Sequence, residues 1–208
     1  MKKWFAMALV AMVAAGAAQA ADNEPLELGV RGQVWFPGEG DFNLFEPGYG
    51  AMFTLRDWFA FPFGVTFNAG IAQWGADSDS NPYKYKGLND FDGDVTLIPV
   101  GASLTYCLID WNDWDINLET GLHYVFVNSD VDCRSDADGQ RHDIDMDDGI
   151  WWTVGAEFDY QLFEGGFLTV GGGFQSDVLR SDTECNGDKL RDSRFQGFFA
   201  NAGFKFLL

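Results

Sequence analysis

The chain has 208 residues, with 32 acidic side chains against 13 Lys and Arg and a formal charge of −19. That balance excludes nucleic acid as a partner, because phosphate contacts need basic surface. It does not describe a disordered acidic tail either, since 16% of the residues are aromatic and such tails carry few aromatics.

The first twenty residues, MKKWFAMALVAMVAAGAAQA, combine two lysines, an apolar run and small residues at Ala18 and Ala20. This is the pattern of a secretory signal peptide over 1–20. The apolar run is shorter than the roughly 20 residues of a spanning helix, and no cysteine follows the cut, so neither a retained anchor nor a lipoprotein is expected. The mature chain, 21–208, reads as one domain, and losing Lys2 and Lys3 takes its formal charge to −21.

From there on, period-2 alternation recurs and no sustained 3.6-residue period appears, so strands are expected. The first run sets Leu28, Val30, Val34 and Phe36 against Glu27, Arg31, Gln33 and Trp35. A second sets Tyr49, Ala51, Phe53 and Leu55 against Gly50, Met52, Thr54 and Arg56, and a turn is expected at Asp57–Trp58. The third has Phe59, Phe61, Phe63, Val65, Phe67 and Ile71 on one face. The fourth, near 95–108, opposes Ile98, Val100, Leu104 and Tyr106 to Pro99, Gly101, Ser103 and Thr105. The fifth, 114–127, opposes Ile116, Leu118, Leu122 and Tyr124 to Asn117, Glu119, Gly121 and His123. The sixth opposes Trp152, Val154, Phe158 and Tyr160 to Thr153, Glu157 and Asp159. A glycine-rich seventh covers 167–177, and the eighth opposes Phe198, Phe204, Phe206 and Leu208 to Asn201, Gly203 and Lys205.

Short connections near Asp57–Trp58, Asp110–Asp113 and Glu164–Gly166 alternate with long ones over 37–48, 75–94, 129–149 and 178–193. In an up-and-down meander this puts tight turns at one end and long loops at the other. The crowded face of every run is apolar, and the opposite face carries glycine, Ser, Thr and isolated charges. A soluble barrel needs the reverse, with bulky apolar groups inside. Hydrocarbon cannot satisfy backbone hydrogen bonds, so strands immersed in it close into a barrel. The fold expected is therefore all-β: an eight-stranded antiparallel up-and-down transmembrane barrel with short periplasmic turns, long extracellular loops and an interior filled by side chains.

The signal peptide, the turn and loop alternation, DVTLIPVGASLTY at 94–106 and the closing FFANAGFKFLL make residues 21–208 resemble the small outer-membrane barrels of the OmpA transmembrane-domain and OmpX type. The resemblance implies an outer membrane of a Gram-negative-type bacterium, membrane lipid and lipopolysaccharide as surroundings, and the barrel-assembly machinery as a partner during biogenesis. Phe204 and Phe206 match the C-terminal signal read by that machinery, although family members usually end in Phe and this chain ends in Leu208. Full-length OmpA proteins add a peptidoglycan-binding domain that is not seen after this barrel.

Several residues follow from this architecture. Aromatic girdles mark both interfaces of such barrels: Trp58, Trp111 and Trp114 fall at the short-turn end, and Trp35, Trp74, Trp151 and Trp152 near the long-loop end, with Trp152 toward lipid and Trp151 inward. Charges inside cannot stay unpaired, so Glu27, Arg31, Arg56, Glu119, Glu157, Asp159 and Lys205 are expected to form an interior ion-pair network. Cys133 and Cys185 lie in the third and fourth long loops, on one side of the barrel, and are expected to form a disulfide in an oxidising compartment. Cys107 stays free.

Barrel enzymes of the lipid A deacylase, palmitoyltransferase and omptin types need a histidine with a Ser, Asp or Glu near the rim. This chain has only His123 and His142. His123 and Glu119 share a face about 13 Å apart, the His-x-Ser-Asn stretch of the deacylases is absent, and His123 reads as a satisfied interior residue. DADG at 136–139 has part of an EF-hand pattern, but Arg134 would occupy its first ligand position, the wrong charge. No metal site or cofactor is expected, beyond weak divalent-cation binding by the acidic loops. The function expected is structural or surface-interacting, by a monomer. The alternatives are a small-solute channel, a lipid-modifying enzyme, or a soluble lipocalin-like binder with its aromatic face inward.

Overall fold

The computed structural model describes residues 25–38, 45–76, 88–135, 139–179, 181–185, 188–193 and 196–208. The expected leader, 1–20, lies outside the described residues, as do Asp136 and Asp138 of the DADG stretch and parts of all four long connections. Eleven strands are described: β1 (Glu27–Pro37), β2 (Gly48–Ala60), β3 (Phe63–Gly75), β4 (Leu88–Trp111), β5 (Trp114–Ser135), β6 (Arg141–Met146), β7 (Gly149–Phe163), β8 (Gly166–Leu179), β9 (Ser181–Cys185), β10 (Asp188–Ser193) and β11 (Gly197–Leu207).

Eight of them form the ring. The order runs β1–β2–β3–β4–β5–β7–β8–β11, every pairing is antiparallel, and β11 returns to β1 through Glu27↔Leu207 to Pro37↔Gly197. β5 pairs with β7 from Trp114↔Tyr160 to Val125↔Gly149, which closes the cylinder and leaves none of the eight with a free edge within the ring. No described helix is long and apolar enough to cross a membrane, which says nothing against crossing by strands.

The faces sort by polarity, with the polar side inward. Leu104 is 61% exposed and Phe53 59%, whereas Thr105 is 1% and Arg56 2% exposed. Because the side-chain period is 2, one register fixes the facing of every residue on a strand. The apolar outer wall spans Val30, Val34, Phe53, Ile71, Leu122, Phe158, Val170 and Phe204, all exposed.

The other three strands correct the expected loops. β6, β9 and β10 extend the sheet from the outer part of β5 in the order β5–β6–β9–β10, and β4 starts at Leu88 rather than near 95. Much of 129–149 and 178–193 is thus sheet. The alternation continues beyond the lipid-facing segment: Val131 and Cys133 are buried between exposed or half-exposed Asp130 and Asp132, and Ile144 and Met146 between Asp143 and Asp145. The dense aspartates mask this pattern in the sequence. The buried side chains join Phe45, Leu88, Phe91, Val95 and Cys185 in an apolar core above the ring.

The first tight turn also lies further on than expected, at Phe61–Pro62 instead of Asp57–Trp58. β2 continues to Ala60 through an irregularity between Asp57 and Ala60, and it stops where Pro62 lacks an N–H for the ladder. The other two turns fall as expected, with Gly165 at φ 78 and Asn112 at φ 53, conformations suited to Gly and Asn.

Candidate functional site

Inside the short-turn half of the ring, the strands bring together all seven charges expected there. Arg56 on β2 is the hub: its Nη1 lies 3.2 Å from Glu27 Oε2, and its Nη2 lies 2.5 Å from Glu119 Oε1 and 2.8 Å from Glu157 Oε1. Its Nε donates to Thr66 Oγ1 at 3.0 Å, which shares a hydrogen bond with Thr105 Oγ1 at 2.7 Å. Lys205 Nζ reaches Glu27 at 3.1 Å, Glu157 at 3.3 Å and Asp159 at 2.5 Å. Arg31 pairs with Glu157 at 2.7 Å, stands 3.7 Å from Glu119, and donates to Asn68 at 3.2 Å.

Such a cluster is tolerable only because each ion meets several partners. Removing charges from water costs several kcal/mol apiece, and multidentate pairing offsets it. Two sequence features make the space. Gly203 is the Cα partner of Arg31, where an added Cβ would lie 2.6 Å from the Arg31 Cα. Gly101 faces His123 in the same way, 2.7 Å from its Cδ2.

Further members of the cluster were not singled out in the sequence. Asn117 Nδ2 donates to Asp159 Oδ2 at 2.8 Å and also to Asp115, tying that carboxylate to the network. Asn68 donates to Ser103 Oγ at 3.2 Å. Asn117 and Asp115 share the inward parity of Glu119 on β5, Asn68 that of Thr66 on β3 and Ser103 that of Thr105 on β4, so facing was legible, but which polar residues would meet depends on ring closure.

The tryptophans require a correction. Trp35 and Trp74 are each only 2% exposed and point into the ring and its upper core, together with Trp151, also 2% exposed, for which inward facing was the expectation. Trp58 also turns inward, donating from Nε1 to Glu27 Oε1 at 2.7 Å and lying under the Arg56 guanidinium at 5.4 Å. Their parity explains this: each sits an even number of residues from an inward polar side chain, as Trp35 does from Arg31 and Gln33. Trp111 and Trp152 face outward, and Trp114 is half-buried. Phenylalanine and tyrosine supply most of the outward ring at the turn end, with Phe59, Phe61, Phe63, Tyr106, Tyr160, Phe163 and Phe206 all exposed.

His123 is interior, 6% exposed, and its Nδ1 finds no hydrogen-bond partner among the described residues, so that atom is not satisfied as expected. Cys133 and Cys185 meet as thiols, Sγ to Sγ 3.4 Å, both buried, while Cys107 Sγ donates to the Ile109 carbonyl. Burial, and then the hydrogen bond to Cys185, push the Cys133 thiol up to about 12. His142 sits on β6 as the register partner of Cys133. Among the described residues no group of three His, Cys, Asp or Glu side chains is placed to hold a metal ion.

The acidic stretch that precedes β7 ends on a residue with a structural task. Asp148 Oδ1 accepts from the Val127 amide at 3.0 Å and its Oδ2 from the Tyr124 hydroxyl at 2.9 Å. Val127 lies where β5 has left β7, whose last pair is Val125↔Gly149, and has not yet met β6, whose nearest pair is Val131↔Ile144. The carboxylate replaces the missing ladder partner.

A closed ring of eight antiparallel strands with an apolar outer wall and a polar interior is the fold of the small eight-stranded outer-membrane β-barrels. No family model and no curated protein matches the sequence. Among solved structures the chain is similar to the outer membrane protein OprG of Pseudomonas aeruginosa, with a TM-score of 0.60 at 14% identity over 88% of this chain and 95% of that one. It is similar also to a major outer membrane protein of Thermus thermophilus, TM-score 0.56 at 14% identity over 89% and 100% of the two chains. The outer membrane protein AlkL, in lipid bilayers, gives 0.55 at 13% identity over 88% and 90%.

Proposed function

We propose that the protein is a non-enzymatic, non-conducting monomeric barrel that acts through its outer sheet and loops, in a structural or surface-interaction role. The observation that supports this most directly is the Arg56 hub, whose guanidinium engages Glu27, Glu119 and Glu157 at 2.5–3.2 Å and fills the interior near the turn end. A rigid barrel with a filled interior leaves the protruding strands as the part that meets other molecules. Their outward side is acidic: Asp92, Asp132 and Asp143 are successive register partners across β4, β5 and β6, where like charges side by side are unfavourable unless countered. Arg141 counters some of them, standing 3.4 Å from Asp90 and 3.5 Å from Asp92 and donating to Asp132. Divalent ions shared with lipopolysaccharide would counter the others. Against catalysis stands His123, enclosed in the barrel where an acid–base group cannot reach a substrate at the rim.

Planar-bilayer recording tests the non-conducting reading. The expected trace shows no steady open-pore current, and a stable large conductance would overturn it.

A further inference from the structure

Around the Arg56 hub the charges do not balance. The carboxylates of Glu27, Glu119, Glu157, Asp159 and Asp115 stand against three basic side chains, Arg31, Arg56 and Lys205, which leaves an excess of two negative charges at low dielectric. The pairings show where that excess lies. Glu157 meets all three bases at 2.7–3.3 Å, Glu27 meets Arg56 and Lys205 at 3.2 and 3.1 Å, and Glu119 meets Arg56 at 2.5 Å and Arg31 at 3.7 Å. Asp159, 0% exposed, has Lys205, which it shares with Glu27 and Glu157, and Arg56 Nη1 only at 3.8 Å. Among the described residues no Lys or Arg nitrogen lies within 4.0 Å of Asp115.

These two least-countered acids stand side by side. Asp115 and Asp159 are register partners across β5 and β7, their carboxyls lie within hydrogen-bonding range of each other, and Asn117 Nδ2 donates to one oxygen of each. Two ionised carboxylates cannot bond to each other because both only accept, whereas one proton makes one of them a donor. The row continues on β4, where Asp110, exposed at the turn-end rim, is the register partner of Asp115. Like charges directly opposite are unfavourable. The remaining neighbours bring no cation: Thr169 of β8 is the register partner of Asp159, and the Cys107 thiol of β4, opposite Asn117, donates to the Ile109 carbonyl.

We propose that Asp115 and Asp159 hold one proton between them at neutral pH, and that this acid pair is a pH-sensitive tie between β5 and β7 at the turn end of the barrel. With the proton in place one carboxyl donates to the other while Asn117 donates to both, as in other carboxyl pairs too close to ionise together. Loss of the proton leaves Asp110, Asp115 and Asp159 as three like charges in one row, with Lys205 beside the last of them. The tie therefore loosens as pH rises.

The test is infrared spectroscopy of the mature protein in lipid vesicles, read at the carboxylic-acid C=O stretch, which is separate from the carboxylate and amide bands. At neutral pH wild type is expected to show the acid band of one carboxyl, shifted by ¹³C-labelling of aspartate side chains and not of glutamate side chains. Asp115→Asn and Asp159→Asn put an amide donor where the shared proton was, so both are expected to fold and to lack the band, while Asp110→Asn keeps it. As pH is raised the wild-type band disappears, and urea unfolding is expected to lose stability over that same interval in wild type but not in Asp159→Asn, because the proton is bound in the folded barrel and not in the unfolded chain. The labelling result stands whether or not a variant folds. No acid band at neutral pH, a band that moves with glutamate labelling, a band that survives in folded Asp115→Asn or Asp159→Asn, or wild-type unfolding unchanged as the band disappears would overturn the assignment.

Discussion

Arg56 meets three carboxylates at 2.5–3.2 Å while only 2% exposed, and the consequence of deleting it follows from what is left behind. Arg56→Ala strands Glu27, Glu119 and Glu157 with only Lys205 and Arg31 as countercharges, and breaking a buried pair on one side costs about 3–5 kcal/mol. Reversible urea unfolding in lipid vesicles is expected to show a loss of that size. The exposed Arg141→Ala variant is expected to leave the unfolding curve where it was. Asp148→Ala removes the acceptor for the half-buried Val127 amide, a loss of about 1 kcal/mol, the lower end of what an unmatched buried donor costs. Hydrogen exchange should locate the effect, speeding at Val127 while amides of β7 below Gly149 keep their protection. The charges of the hub were legible in the sequence as inward-parity residues. Trp58 and Asp148 were not, because an indole fits an interface as well as an interior, and one aspartate among many gives no sign of which backbone amide it will cap.

At the scale of the strand, the outer sheet is where sequence and structure part most. The alternation of Val131, Cys133, Ile144 and Met146 with aspartates is as regular as that of the ring strands, but its segments are short and charge-rich, which reads as loop. Pairing β6 against β5 from Val131↔Ile144 to Arg134↔Arg141, and β9 against β6 from Ile144↔Cys185, buries what would otherwise be scattered apolar residues. Cys133 and Cys185 thereby touch across β6, and we propose that export to an oxidising compartment joins them. Protein purified without reductant, then denatured and alkylated, is expected to take up one label, at Cys107, and three after reduction; three labels before reduction would refute the bridge. In the reduced form the Cys133 thiol, raised from 9.0 to about 12 by burial and by Cys185, holds its proton more tightly folded than unfolded. Its contribution is therefore complete below pH 9 and is lost as pH climbs toward 12. The oxidised form lacks this loss, so alkaline unfolding should separate the two.

The whole molecule rests on one inversion, apolar residues outside and polar residues inside, and this was the most legible feature of all. It needs only the period of 2 and the contrast between crowded and small faces, which every ring strand repeats. Strand ends were less legible, as the β2–β3 turn shows, because Phe59 and Phe61 continue the apolar face beyond Asp57 without a break. A nitroxide accessibility scan along β7, from Trp152 to Tyr160 in lipid vesicles, measures the inversion directly. Labels at Trp152, Val154, Phe158 and Tyr160 are expected to be reached by oxygen dissolved in lipid, and labels at Thr153, Glu157 and Asp159 by neither oxygen nor a water-soluble nickel chelate. Access of the nickel chelate to the first set, or of lipid-borne oxygen to the second, would contradict the account.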